Sequence, residues 1–391
     1  MIRIEQLDDA GVRDLAQRTD ELGVLSVYVN ADPSHDATLK GTAVDLRSRF
    51  RELHRRMSQN ADSDHAREIA ARLEGLWPQI ESLVSPAASG RGRIAFVTLG
   101  SGDIVRLESA MPVANRVVFD DGPFIHPLLE LLDESRPGGV VIVSADDARL
   151  LEWRAGLVQA LCRIERDYVE APHERAGQIG GGPAGQFHTP MREQRESRER
   201  HRTQRFLGQV SKVVAQLAGE QGWERILVSG GERWTDPTIA SFPQTVRGKV
   251  IADDRILNGL SDAELATAIT EQFHRHHKAR EEQLLAQMRD AAGSGLAALG
   301  LSEVAAALNA GRVAHLVYDP QVRYTGTVGA DGAVYGGDET APGAQKLQSE
   351  PRLTERLVER ALNTAARITP IEGAASRDLK DAAGIAALLR W

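Results

Sequence analysis

The sequence predicts an α/β protein of three domains, and three observations carry that prediction. Its 391 residues exceed what one hydrophobic core usually organises. Short β-branched runs alternate with long stretches rich in Ala, Leu, Arg and Glu, the pattern of strands interleaved with helices. The composition also breaks twice, at the loop residues Ser135-Arg136-Pro137-Gly138-Gly139 and again near residue 284. The expected domains are therefore 1–136, 137–283 and 284–391.

The first domain opens with a helix and then Val24-Leu25-Ser26-Val27-Tyr28-Val29, whose β-branched content and Asn30/Asp32-Pro33 stop read as a strand. Residues 41–58 and 63–84 read as helices. Ile94 to Leu99 and Asp103 to Leu107 read as a hairpin across Gly100-Ser101-Gly102.

The second domain begins with Val140-Val141-Ile142-Val143. A turn at Ala145-Asp146-Asp147, a return strand at Leu150-Leu151-Glu152-Trp153 and an apolar stretch near 158–164 make a three-stranded meander. A polar, Gly-rich loop follows from Pro172 to Pro190. It feeds a helix from Met191 to Leu217, which has no internal Pro. A strand at Arg225-Ile226-Leu227-Val228-Ser229 and a helix from Asp262 to Arg280 complete a βββαβα order.

The third domain contains a helix at 302–309, a strand at 313–318 and a Gly-rich hairpin region reaching Gly337. After a polar linker, Leu353, Leu357, Val358, Ala361, Leu362 and Ala365 line one face of a further helix. Residues 368–371 and 385–389 read as short edge-like or terminal strands, giving a small αβα sandwich.

Composition narrows the function. With 42% hydrophobic and 26% charged residues the chain is of ordinary globular type. No apolar run has the roughly 18 uncharged residues of a membrane span, and Met1-Ile2-Arg3-Ile4-Glu5 lacks a signal-peptide core, so a cytoplasmic protein without membrane partners is expected. Cys162 is the only cysteine, which excludes an intrachain disulfide and a thiolate metal cage; its apolar run suggests a buried core thiol. The net charge of −8 argues against indiscriminate coating of nucleic acid, so any RNA contact must be local. Only six residues are Lys; the Arg excess suits phosphate recognition and fits equally a GC-rich genome.

One local feature opposes the acidic background. Arg192, Arg195, Arg198, Arg202 and Arg205 advance by three or four residues, which places them along one side of a helix, with Glu193, Glu196 and Glu199 on a neighbouring face. From Met191 to Arg205 the local charge is +3, and such a row can track an RNA backbone. The plainer reading is a solvated helix laced with Glu/Arg pairs worth about 0.3–0.5 kcal/mol each. His274 and His277 lack a third metal ligand at a usable spacing and read as a solvated helix end. Gly230-Gly231 reads as a tight strand-to-helix turn, because neither the dinucleotide fingerprint nor the P-loop lysine is present. No cofactor or metal is expected.

The order of elements, together with Gly180-Gly181-Gly182-Pro183-Ala184-Gly185-Gln186-Phe187 running into the Arg-rich helix, resembles the glycine-glycine-glutamine loop and basic helix of class-1 release factors and Pelota. The closing residues Gly384 to Trp391 also resemble the bacterial archaeo-eukaryotic release factor family. The resemblance covers about residues 138–391 and implies a release-factor-like middle domain, with a mixed sheet and long helix, and an L7Ae-like C-terminal αβα sandwich. The N-terminal segment shows neither of the motifs used for stop-codon reading. It is similar to the bacterial branch that includes the Balon-type ribosome hibernation factors, which implies A-site occupation on the 70S ribosome with elongation factor Tu as a partner.

Release of a nascent chain needs a water beside an ester carbonyl and a donor for the oxyanion, which a closely approaching backbone can supply. Gln186 is the candidate for placing that water. It follows Ala184-Gly185, and Gln178 follows Ala176-Gly177, so alanine replaces the first glycine in both pairs. A Cβ there restricts the backbone and adds bulk, which counts against hydrolysis. Four readings stay open: Gly180, Gly181, Gly182, Gly185 and Gln186 contact ribosomal RNA without chemistry, they form a peptidyl-tRNA hydrolase site, they are a surface loop without function, or the chain is a non-ribosomal oligomeric scaffold built on its αβα domain.

Overall fold

The computed structural model describes residues 2–33, 39–59, 64–167, 191–337, 347–373 and 375–391. Two compact units emerge, one combining Met1–Ser135 with His274–Trp391, the other formed by Arg136–Phe273.

In the first unit the chain runs β1 (Ile2–Arg3), α1 (Asp9–Gln17), β2 (Val24–Asn30), α2 (Leu39–Gln59), α3 (Asp64–Gly75), α4 (Trp77–Glu81), β3 (Gly92–Thr98), β4 (Ile104–Ser109), β5 (Arg116–Asp120) and α5 (His126–Glu134). The sheet order is β1-β4-β3-β2-β5, with only β1 and β4 parallel. Strand β2 is interior, paired on both sides, and buried along nearly its whole length, as its β-branched run suggests. Leu46, Phe50 and Leu53 of α2, with Ile69 and Leu73 of α3, cover Leu25, Val27, Val29, Ala95 and Val97 on one face. Each such side chain contributes about 1.5–3 kcal/mol on burial.

The second unit carries β6 (Gly138–Val143), β7 (Asp147–Arg154), β8 (Leu157–Glu165), α6 (Met191–Glu220), β9 (Arg225–Ser229), α7 (Glu232–Ser241), α8 (Gln244–Arg247), β10 (Val250–Asp253) and the first part of α9 (Asp262–Ala292). The meander is present. It continues into a mixed sheet of order β10-β9-β6-β7-β8, in which β10, β9 and β6 are parallel. The sequence order βββαβα thus lacks α7, the four-residue α8 and β10. Helix α7 carries an internal Pro237, and β10 has four residues, too few for a periodic signal.

Gly230 and Gly231 form the expected turn into α7. Gly231 has φ +72°, and a Cβ on Gly230 would lie 2.1 Å from the Val143 carbonyl oxygen. Cys162 corrects an expectation: its side chain is exposed. The apolar run that suggested burial belongs to β8, the outermost strand of its sheet, where most side chains stay open to solvent.

Helix α9 passes without interruption through position 283 and returns to the first unit, where Leu284, Leu285 and Met288 pack on Val317, Ile371 and Ala386. There follow β11 (Ala297–Leu299), α10 (Leu301–Asn309), β12 (Val313–Tyr318), β13 (Gly326–Val328), β14 (Val334–Gly336), β15 (Gln348–Glu350), α11 (Leu353–Asn363), β16 (Arg367–Pro370) and β17 (Ile385–Leu389). Their main sheet has the order β11-β17-β12-β16, and β14-β13-β15 form a small antiparallel sheet. Strand β16 is an edge, as expected; β17, terminal in the chain, is interior to the sheet because it pairs with both β11 and β12.

The same unit ties α5 to this sheet. The Asp133 carboxylate accepts from Arg367 Nε at 2.7 Å and from the Thr369 hydroxyl at 2.7 Å, and His126 Nδ1 lies 2.5 Å from the Tyr318 hydroxyl.

Candidate nucleic-acid interface

Helix α6 divides into two parts. Its C-terminal half carries Phe206, Leu207, Val210, Val214 and Ala218, which bury against Val141, Val143, Leu150, Ile226 and Val228 of the sheet. Residues 196–201, ahead of the first of these, are exposed. The helix therefore has a rooted end and a solvent-facing end, and the arginines belong to the latter.

At about 100° per residue, with Arg198 as origin, Arg202 lies near +40°, Arg205 near −20°, Arg195 near +60° and Arg192 near +120°. The buried side chains from Phe206 to Val214 occupy roughly +80° to +180° on the same wheel. Four of the five arginine positions thus share an arc beside the buried stripe, and Arg192 drifts away because steps of three fall short of a full turn. Arg198 and Arg205 are exposed and Arg202 is half-buried. None of these three side chains forms a hydrogen bond or ion pair among the described residues. The side chains of Arg192 and Arg195, and all of Gly180, Gly181, Gly182, Gly185 and Gln186, lie outside the described residues.

What holds the exposed end in place is Arg166, which follows β8 and is only 7% exposed. Its guanidinium donates to Glu199 Oε1 at 2.6 Å, Thr203 Oγ1 at 2.7 Å and the Ala145 carbonyl at 3.2 Å, and it lies 5.5 Å from the Trp234 ring centre. Glu199 is thereby engaged by a residue from another element. The sequence reading missed Arg166. Its one signal was a cation ending an apolar strand and opening a loop, a pattern shared with many solvated positions.

The histidine run on α9 is also corrected. His277 is 1% exposed, with Nε2 3.2 Å from a Glu281 oxygen that is itself buried. His274 lies 2.7 Å from Glu134, and Lys278 bonds Glu130 at 3.0 Å and Glu281 at 3.2 Å. Rather than a solvated helix end, this is mid-helix packing within the first unit. The hydrogen bond that His274 donates to the Glu134 carboxylate raises the histidine above its ordinary value, against the opposing effect of burial. Burial pushes Glu134 upward, but its hydrogen bond and charge interaction with His274 outweigh that and leave it lowered. Among the described residues no cluster of three metal-ligating side chains occurs, and no helix is long and apolar enough to cross a membrane.

The second unit thus combines a mixed sheet with a helix rooted on it whose other end is basic and exposed. Residues 123–278, which bracket the whole second unit, match the family described as bacterial archaeo-eukaryotic release factor family 10. The chain is similar to an archaeal translation termination factor (15% identity over 100% of this chain and 99% of that one, TM-score 0.27). It is also similar to Dom34 of S. cerevisiae, described as a translation termination-like factor involved in RNA quality control (10%, 77% and 80%, TM-score 0.41), and to Pelota of Archaeoglobus fulgidus (14%, 77% and 79%, TM-score 0.33). No curated protein matches the sequence.

Proposed function

We propose that this protein is a ribosome-associated factor that occupies the A site of the 70S ribosome, with Gly180, Gly181, Gly182, Gly185 and Gln186 directed toward the peptidyl-transferase centre. Arg192, Arg195, Arg198, Arg202 and Arg205 would lie on ribosomal or transfer RNA phosphates. Its role is hibernation or stress protection of the Balon type, without stop-codon reading and with elongation factor Tu as partner. The division into domains 1–136, 137–283 and 284–391 belongs to the same proposal. One observation carries it: in a release-factor family segment of an acidic protein, Arg198, Arg202 and Arg205 stand without a carboxylate partner among the described residues, on a helix end anchored by Arg166.

Co-sedimentation of the full chain with 70S ribosomes over a salt series tests the reading. Binding should weaken steeply with salt, and Arg198→Gln/Arg202→Gln/Arg205→Gln should flatten that dependence by about 0.7–0.9 in log–log slope per lost phosphate contact. Binding that is absent at physiological salt, or indifferent to salt and to these changes, overturns it. Peptide release from stalled ribosomes, tested with Gln186→Ala, separates a hydrolase from a non-catalytic occupant.

A further inference from the structure

The first unit carries a second basic row that the family match, which begins at residue 123, does not reach. Helix α2 contains Lys40, Arg47, Arg49, Arg51, Arg55 and Arg56 against Asp45 and Glu52, a surplus of four positive charges on a chain of net −8.

The charges are sorted by face. Taking Lys40 as origin at about 100° per residue, Val44, Arg47, Arg51 and Arg55 fall between roughly −20° and +60°. The buried Thr42, Leu46, Phe50 and Leu53 fall between roughly +200° and +280°. Both acids lie near +120° to +140°, to one side of the basic row: Asp45 pairs with Arg49 at 3.0 Å, while Glu52 pairs with Arg55, the last arginine of the row, at 2.7 Å and lies 3.8 Å from Arg56.

Arg47 and Arg51 have no carboxylate partner among the described residues. Arg47 is steadied by the Trp77 ring, 5.3 Å away, and the Arg51 guanidinium makes no hydrogen bond with the described residues. Together with Val44, 71% exposed, Ser48, Glu52 and Arg55, they line an open depression of about 580 Å³. An unpaired guanidinium facing water contributes little to stability, so packing does not account for the sorting. Steps of four residues separate the arginines by about 6 Å along the axis, close to the spacing of successive phosphates on an RNA strand.

We propose that the Lys40–Arg47–Arg51–Arg55 face of α2 is a phosphate-tracking RNA-binding surface, separate from the α6 row. It requires neither the glycine-rich loop nor a ribosome. Its partner is the sugar–phosphate backbone, because a row of guanidinium groups on a straight helix matches evenly spaced anions and reads no base edges.

The test is a salt titration of full-chain binding to an RNA stem-loop, with Arg47→Gln/Arg51→Gln made both alone and in the chain whose Arg198, Arg202 and Arg205 are already Gln. In both backgrounds the log–log slope should fall by about 1.5, and affinity near 0.15 M salt should drop about tenfold to thirtyfold. Arg47→Lys/Arg51→Lys should keep most of the slope. Arg51→Gln alone, which removes no contact with described residues, should give about half the effect with an unchanged unfolding midpoint. An unchanged slope in either background overturns the proposal. So does loss of binding to poly-glutamate with RNA binding intact, which would assign the surface to an acidic protein partner. Because the α6 variants are scored separately, failure of the ribosomal reading leaves a distinct result here.

Discussion

Asp133 offers the sharpest test of how the first unit is held. It is 6% exposed on α5, and one of its oxygens sits 2.7 Å from Arg367 Nε and 2.6 Å from Arg367 Nη2. The other accepts from Thr369 Oγ1 at 2.7 Å, whose hydroxyl also lies 2.8 Å from His315 Nε2. Asp133→Ala removes the carboxylate that faces both Nε and Nη2 of this mostly buried guanidinium, and breaking a buried pair from one side costs about 3–5 kcal/mol in such settings. Arg367 retains 18% exposure, so some water reaches it and the lower end, about 3 kcal/mol, is expected. For a unit of this size that corresponds to a midpoint lowered by roughly 6–12 °C. Because the chain holds two units, a single unfolding midpoint would blur them, and hydrogen exchange resolved to α5 and β16 peptides is the suitable assay. Protection should fall there while β6 to β9 keep theirs. The double change Asp133→Leu/Arg367→Met should recover most of the loss, since it leaves no buried charge behind. Destabilisation under about 1 kcal/mol, or a double variant no better than the single one, would refute the claim that this ion pair fastens α5 to the C-terminal sheet.

Two further outcomes follow from the same coordinates. Gly230→Ala places a Cβ 2.1 Å from the Val143 carbonyl oxygen and 2.7 Å from Val143 Cγ1, so unit two should lose about 1–3 kcal/mol or more, and an unfolding curve within error of wild type would contradict the packing. The His274–Glu134 bond should be pH-dependent. The raised histidine contributes fully below its ordinary value of 6.5 and loses that contribution as pH rises through its folded value, whereas the lowered glutamate contributes above 4.5 and loses it as pH falls through its own. Glu134→Gln should therefore destabilise more at pH 5.5 than at pH 8.5, and equal effects at both would refute the link.

Strands and long helices were legible because their signals are local. Val24 to Val29, the 138–165 meander and the α6 run each state their conformation in composition and periodicity. Helix α5 was not, since seven of its nine residues are buried and an element buried on all sides has no polar face to set a period. Partnership between distant segments was equally invisible. Asp133 and Arg367, or Arg166 and Glu199, meet through the fold, and nothing in the spacing of either residue names the other.

That difference explains why a site reading from sequence can find a basic row but not say whether it is available. Charge along a helix counts cations, and availability depends on where the anions go. On α6, Glu199 is taken up by Arg166 at 2.6 Å, and on α2, Asp45 and Glu52 face Arg49, Arg55 and Arg56, which leaves Arg198, Arg202, Arg205, Arg47 and Arg51 without carboxylate partners among the described residues. Anions held to one side turn a helix with a modest cationic surplus into one with a distinctly cationic face. Under the two proposals made above, an acidic protein would bind RNA through two narrow rows while the rest of its surface repels nucleic acid.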